Sequence, residues 1–180
     1  WGIFYPNLSI VIPVLLKIIG FSVNKAYKIG ILVATIASVV IMYKFLKYKF
    51  NNKFVATCGT MLYLYAPYKI VQAFMRGAIS EMFVFIALPL VFWGLEKLLR
   101  KEKNGEYYII IGACIIILSH VISTIYIAIF ALIYLIFNIK KLDRQIILKL
   151  IKSIIFILLI TSYFTIPLIE NVANSQYKMF

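Results

Sequence analysis

From Tyr107 to Phe137 the chain runs for thirty-one residues without one acid, lysine or arginine. A straight helix of that length reaches about 46 Å at 1.5 Å per residue, whereas a bilayer hydrocarbon core is about 30 Å thick. The run is interrupted by Ser119, His120, Ser123 and Thr124. Charge decides how it is divided. Lys97, Arg100, Lys101 and Lys103 precede it, mixed with Glu96, Glu102 and Glu106. Lys140, Lys141, Arg144, Lys149 and Lys152 follow it. Basic loops collect on the cytoplasmic side. Two such loops on one side need an even number of crossings between them, so the chain is expected to reverse near Ser119–Ser123.

The rest of the chain has the same character. It is 64% hydrophobic and 14% charged, with a mean hydropathy of +0.99. Soluble domains average roughly 45–50% apolar and about 25% charged residues. In 180 residues this much apolar surface does not fit inside one water-soluble core. A transmembrane β-barrel would alternate with a period of two; these runs are continuous. The composition therefore predicts an all-α, polytopic helical membrane protein, multi-pass in the plasma membrane. Its Ile, Lys, Asn and Tyr bias points to an AT-rich bacterial genome. The net charge of +13 would suggest nucleic acid in a soluble protein. Here the cations sit between apolar runs, where they act as topology signals and meet anionic lipid headgroups. The partners expected are membrane lipid and no nucleic acid. Cys58 and Cys114 lie in apolar segments and read as small buried hydrophobes. One histidine and no Cys-x-x-Cys leave no zinc site.

In order, residues 1–25 are expected to carry an interfacial or re-entrant juxtamembrane helix, because Pro6, Asn7, Pro13 and Lys17 make the apolar part too short to span. Residues 26–180 form a transmembrane bundle. About six spans are expected, at 26–43, 54–67, 82–99, 107–119, 121–137 and 153–169. Lys44, Lys47, Lys49 and Lys53 make a further basic loop, and Pro167 and Glu170 end the last span before a polar tail. Thirteen of the nineteen Lys and Arg fall in the three basic loops. The chain begins at Trp1 and reads as an internal piece of a longer protein.

This topology places one unusual interval, Tyr65–Glu81, on the opposite, external face. It holds Pro67, Gly77, Arg76 and Glu81 between strongly apolar flanks. His120 and Glu170 fall on the same face, although only the basic loops were used to assign sides. Polar side chains between spans are candidates for function. Arg76 can fork onto a phosphate or pair with Glu81. The two are five residues apart and would not share one helical face. Glu81 can act as a base, hold a metal, or simply begin a helix at its positive end. His120 can meet a phosphate, shuttle a proton, or bond to backbone at a tight reversal. Tyr68, Lys69 and Glu170 complete the set that could meet a lipid phosphate. Tyr65 and Tyr68 also fit an interfacial aromatic belt. No Gly-rich phosphate loop, Ser/His/Asp set or dinucleotide fingerprint is present.

These residues carry a resemblance. Tyr65-Ala66-Pro67-Tyr68, Arg76-Gly77-Ala78-x-x-Glu81, Leu88-Pro89-Leu90, Leu118-Ser119-His120 and Pro167-x-x-Glu170 resemble the bacterial membrane proteins labelled "6-pyruvoyl-tetrahydropterin synthase-related domain". Phe4-Tyr5-Pro6 resembles that family's aromatic-proline approach to the membrane. The likeness covers nearly the whole chain, and the Arg-Gly-Ala-x-x-Glu block is its most specific part. The chain departs from it at Gln72, where an acid is frequent, and at Val121, where Asn is frequent. Despite the label, nothing here resembles the soluble pterin enzyme, whose zinc chemistry needs several histidines. The family is similar to GT-C integral-membrane glycosyltransferases. That likeness implies a GT-C-like fold and transfer of a sugar from a polyprenyl-phosphate-linked donor to an envelope acceptor at the external face. It implies that residues 1–25 end the first external loop and that a catalytic acid lies before Trp1, with Glu81 and His120 as candidates within the chain. A divalent metal is the one cofactor this chemistry leaves room for. The rival readings are a non-catalytic envelope-assembly or polysaccharide- or lipid-binding membrane protein, and a transporter. A transporter would carry its broken helices and charges near the midplane.

Overall fold

The computed structural model describes residues 6–173. The aromatic approach at Phe4 and Tyr5 and the tail residues Asn174, Ser175 and Gln176 lie outside the described residues. Eight α-helices follow one another, with no strand among the described residues: α1 (Val11–Ile18), α2 (Val23–Phe50), α3 (Lys53–Leu64), α4 (Pro67–Ile70), α5 (Ile79–Leu99), α6 (Gly105–Ile117), α7 (Val121–Phe137) and α8 (Arg144–Ala173). Short 3-10 turns at Leu8–Ile10 and Ile139–Lys141 and a π-helical turn at Val71–Met75 complete the described helical segments.

Three helices are long and apolar enough to cross a bilayer: Val23–Phe50, Ile79–Leu99 and Arg144–Asn171. The expectation was about six. The helices α3, α6 and α7, at 12, 13 and 17 residues, are shorter than that criterion. Other boundaries differ for identifiable reasons. Lys44, Lys47 and Lys49 are carried on the last turns of α2 rather than in a loop. Lysine is a good helix former whose long stem lets the charge reach water. The same holds for Lys149 and Lys152, which extend α8 well before residue 153. Pro167 lies inside α8 instead of ending it, as apolar helices with packed neighbours tolerate. Pro67 does not close α3, which stops at Leu64, but opens α4 at its first position, where its missing N–H costs nothing. Cys114 is buried as expected, but Cys58 is exposed on the surface of α3.

The central element is α5. Of its apolar window 61% is buried, against 22% for α2 and for α8. Its long seam with α6 is made by glycines. A Cβ on Gly94 would stand 2.7 Å from the Gly105 carbonyl oxygen, and one on Gly112 would stand 3.0 Å from the Val91 backbone nitrogen. Small residues let two helix backbones approach this closely, the usual device of helix pairs in membranes. One apolar cluster joins α5, α6, α7 and α8 through Val91, Leu95, Ile109, Ile127 and Ile157. A second joins α2 to the start of α5 through Ala34, Ile79, Met82 and Phe83.

The contacts also give each helix a direction. Gly30 meets Ile79 and Lys49 meets Glu96, so α2 runs parallel to α5. Gly105 lies against Leu98 and Gly112 against Val91, so α6 is antiparallel to it. His120 lies near Glu81 and Tyr134 bonds Glu96, so α7 is parallel again. The chain reverses between α6 and α7. Between α2 and α3 it turns on two asparagines: Asn51 is left-handed at φ 49°, and Asn52 caps α3 by accepting from the Phe54 and Val55 N–H groups. The bundle therefore has a basic end, at Lys49, Arg100 and Lys140, and an opposite end where Tyr65–Glu81 and His120 meet. The outward faces of α7 and α8 are almost wholly Ile, Leu, Phe and Tyr, the surface a lipid solvent asks for.

Candidate functional site

The opposite end is built on a segment that abandons regular helix. Four residues of α4 lead into the π-helical turn Val71–Met75, where the Arg76 N–H reaches back to the Val71 carbonyl at 3.0 Å. Gly77 then takes a left-handed φ of 59°, which costs a non-glycine residue roughly 1–2 kcal/mol. The Ala78 N–H returns to the Gln72 carbonyl at 2.8 Å, and α5 starts at Ile79. Wide helical turns of this kind are rare and concentrate at functional sites. Two other elements hold the segment. The Tyr27 hydroxyl of α2 donates to the Gly77 carbonyl at 2.5 Å. The Ser9 and Ser80 hydroxyls share a hydrogen bond at 2.9 Å, and the Leu8 N–H donates to the Leu118 carbonyl at 3.2 Å. The chain before α1 is thus laid across the ends of α5 and α6.

Glu81 is the hub. It sits in the first turn of α5 and is only 6% exposed. Its Oε2 accepts from the Tyr68 hydroxyl, and its Oε1 accepts from Arg76 Nη1 at 3.3 Å. The five-residue spacing that puts Arg76 and Glu81 out of register on a continuous helix is corrected by the break at Gly77. Tyr68, a candidate for an interfacial belt, is instead tied to this carboxylate. The Arg76 side chain remains 61% exposed. With one of its five N–H donors engaged, it keeps a fork free for an incoming anion.

His120 caps the start of α7. Its Nδ1 accepts from the Ser123 N–H at 3.3 Å and lies 2.8 Å from the Ser123 hydroxyl. That arrangement assigns the proton of the neutral ring to Nε2. Nε2 faces Glu81 Oε1 at 3.9 Å, too far for a hydrogen bond. Backbone bonding at a tight reversal, one of the three expectations for this residue, describes its Nδ1. Its other nitrogen is left facing the site.

Lys69 and Glu170 are not part of this cluster. Glu170 is exposed on the last turns of α8 and forms no ion pair among the described residues. Lys69 is 2% exposed and points into the bundle, where Nζ donates to the Ser38 hydroxyl at 2.6 Å. It also lies 4.6 Å from the Tyr63 ring centroid and 5.3 Å from that of Phe85. Gln72 is fully buried, and neither its amide nitrogen nor its amide oxygen has a hydrogen-bond partner among the described residues. No signal in the sequence singles out Ser38, Tyr63, Ser9 or Ser80. Their roles depend on neighbours tens of residues away. Gln72 stood out only as a departure from a familial pattern.

A divalent metal would need donors beyond these. No group of three His, Cys, Asp or Glu side chains converges among the described residues. Glu81 and His120 make only two, and both Glu81 oxygens already accept hydrogen bonds. The described residues by themselves do not fit a metal centre.

Comparison with known proteins agrees with a membrane setting. A relative from Lactococcus lactis subsp. cremoris, described as an uncharacterized protein, is 24% identical over 189 residues, covering 99% of this chain and 31% of the relative. The chain thus spans about a third of that protein's length. No solved structure matches it. The family described as "6-pyruvoyl-tetrahydropterin synthase related domain; membrane protein" matches residues 3–178. A helical, apolar chain matched to this family along nearly all its length belongs to the 6-pyruvoyl-tetrahydropterin synthase related domain family of membrane proteins.

Proposed function

We propose that this chain is the membrane-embedded part of a GT-C-like glycosyltransferase with about six crossings of the bacterial plasma membrane. It would transfer a sugar from a polyprenyl-phosphate donor to an envelope acceptor at the external face. The observation that carries this reading is the joined cluster of Tyr68, Arg76, Glu81 and His120 at the end opposite the basic loops. In this reading Arg76 meets the donor phosphate. Glu81 holds Arg76 and Tyr68 in place, and the His120 Nε2–H donates to a group arriving beside Glu81. The attacking hydroxyl would be deprotonated by an acid outside this chain, before Trp1. The test uses the full-length protein and a polyprenyl-phosphate sugar. Arg76→Ala should lower kcat/KM by about 100-fold, the scale of losing one charged transition-state contact. Transfer at the wild-type rate by that variant would sink the reading.

One observation favours a second reading, a non-catalytic protein that binds the lipid-linked glycan. Both Glu81 oxygens are engaged by Tyr68 and Arg76, which suits a positioning residue better than a free base. Full-length protein that retains polyprenyl phosphate yet transfers no sugar would favour it.

A further inference from the structure

A cavity of about 710 Å³ lies between α2 and the segment from the end of α3 to the π-helical turn. That volume is within the range of small-molecule sites, about 300–1,000 Å³. None of the cluster residues Tyr68, Arg76, Glu81 and His120 lines it. Its wall is mostly apolar, with Leu32, Ile70 and Phe74 among its members, and its polar groups come from Thr35, Tyr65 and two lysines. Leu32 and Phe74 are exposed, at 57% and 85%, so the cavity has apolar flanks turned toward the surrounding solvent, which for a membrane protein is lipid. No acid lines it. Lys28 is exposed on the second turn of α2, and Lys69 forms the buried wall.

Lys69 is the decisive observation. It is a buried cation whose partners are a hydroxyl and two aromatic faces. Among the described residues no acid lies within ion-pair distance of its Nζ. Glu81, the acid nearest in sequence, is occupied by Arg76 and Tyr68. Burying a lone ammonium costs several kcal/mol unless an anion comes with it. A pocket with two cations, no acid and apolar flanks calls for an anion that carries a hydrocarbon chain. A zwitterionic headgroup would bring an ammonium for which the wall has no partner. Basic pockets between membrane helices hold anionic headgroups on this principle.

We propose that this cavity is a binding site for an anionic phospholipid, whose phosphate meets Lys69, with Lys28 drawing it in, and whose chain leaves over Leu32, Ile70 and Phe74. The site stands on the cavity and Lys69, not on sugar transfer, so failure of the glycosyltransferase reading leaves it intact. The test takes purified full-length protein from phosphatidylcholine nanodiscs doped with phosphatidylglycerol and reads retained lipid by native mass spectrometry. Phosphatidylglycerol should be enriched about tenfold over phosphatidylcholine, a preference of about 1.4 kcal/mol. Lys69→Met should abolish the enrichment. Leu32→Trp should do the same by filling the cavity from its exposed wall, with no change in charge and no burden on the core, so it decides the matter if Lys69→Met does not fold. Absence of enrichment in the wild type, or enrichment that survives Leu32→Trp, would overturn the proposal. So would displacement of the lipid by inorganic phosphate alone, which would mark a headgroup site without a chain groove. Displacement by polyprenyl phosphate but not by excess phosphatidylglycerol would assign the cavity to that carrier and equally overturn it.

Discussion

Glu81 and Glu96 stand fifteen residues apart on one helix and have nearly the same partners. Each accepts from a tyrosine hydroxyl, Tyr68 or Tyr134, and each pairs with an arginine, Arg76 or Arg100. Their surroundings differ. Glu96 gathers Lys49 from α2, Arg100 from just beyond α5 and Tyr134 from α7. It clips three regular helices together at the basic end, where Lys101–Asp143 and Lys149–Glu106 pairs add further ties. Glu81 takes its hydrogen-bond partners from the thirteen residues before it: Tyr68 on the short α4, and Arg76 between the π-helical turn and the left-handed Gly77. Beside it are a mostly exposed guanidinium, a histidine nitrogen without a partner at hydrogen-bond distance, and the unpaired amide of Gln72. The same carboxylate chemistry fastens regular structure at one end and holds an irregular segment in a set shape at the other. Broken helix, not the count of unpaired polar groups, is what sets the second end apart, and the proposed function places its ligand there.

The largest effects should therefore separate the two acids. On the proposed function, Glu81→Gln should cut sugar transfer by the full-length protein about 100-fold. It should lower unfolding stability by less than about 1 kcal/mol, because Arg76 is already mostly in water and loses little. Glu96→Gln should do the reverse. It leaves Lys49 and Arg100 without their shared anion, at a cost of about 1–2 kcal/mol, between the exposed and buried limits, with transfer changed only a few-fold. Paired measurements of transfer and of the denaturation midpoint in detergent check both. Two variants that behave alike on both readouts would erase the distinction.

The sequence makes the two ends legible to different degrees. Charge counting alone places Tyr65–Glu81 and His120 at one end and the basic clusters at the other, because membrane topology is written in where lysine and arginine are excluded. It also predicts a reversal near Ser119–Ser123, and the chain turns between Ile117 and Val121. Helix ends are less legible. Lys44, Lys47 and Lys49 look like a loop in a hydropathy profile, but an ammonium on a four-carbon stem does not end a helix. The pairing of Arg76 with Glu81 is hidden for a different reason. Helical periodicity forbids it, and only the left-handed turn at Gly77 restores it. Least legible is Lys69. Its neighbour in sequence, Tyr68, turns to Glu81, while Lys69 turns inward to Ser38, thirty-one residues earlier. Nothing local distinguishes those two directions.

Turn residues give a smaller contrast of the same kind. Gly77 and Asn51 both adopt left-handed backbone, with φ 59° and 49°. Alanine at either position should lower stability by roughly 1 kcal/mol through backbone strain. At Gly77 that strain is the whole cost, since an added Cβ meets only Tyr27 Cε1, at an ordinary 3.7 Å. The functional outcomes should diverge. Gly77→Ala disturbs the register between Arg76 and Glu81 and should lower transfer about tenfold, the size of one lost pairing contact. Asn51→Ala should leave transfer unchanged. Equal losses of transfer in the two variants would mean that transfer follows stability alone.

The smallest effect belongs to the exposed rim of the basic end, and it has a definite sign. The Lys101 ammonium bonds Asp143 Oδ2 at 2.6 Å, and the Ile146 N–H bonds its Oδ1 at 2.9 Å. Both hold the Asp143 carboxyl below its ordinary value of 3.8, with the lysine hydrogen bond the larger cause. A carboxyl whose folded value lies below its unfolded value stabilises the protein above the unfolded value. That contribution fades as pH falls from 3.8 through the depressed value, where the folded carboxyl finally takes up its proton. Asn at this position keeps the cap on the first turn of α8 and removes only the charge. Following the unfolding midpoint downward through pH 3.8, wild type should lose stability slightly more steeply than Asp143→Asn, and the two curves should draw together at the acid end. Since the pair is open to solvent, added salt should shrink the difference. Parallel curves would mean that the Lys101–Asp143 pair contributes nothing, and that the firmness of the basic end rests on Glu96 and the Lys149–Glu106 pair.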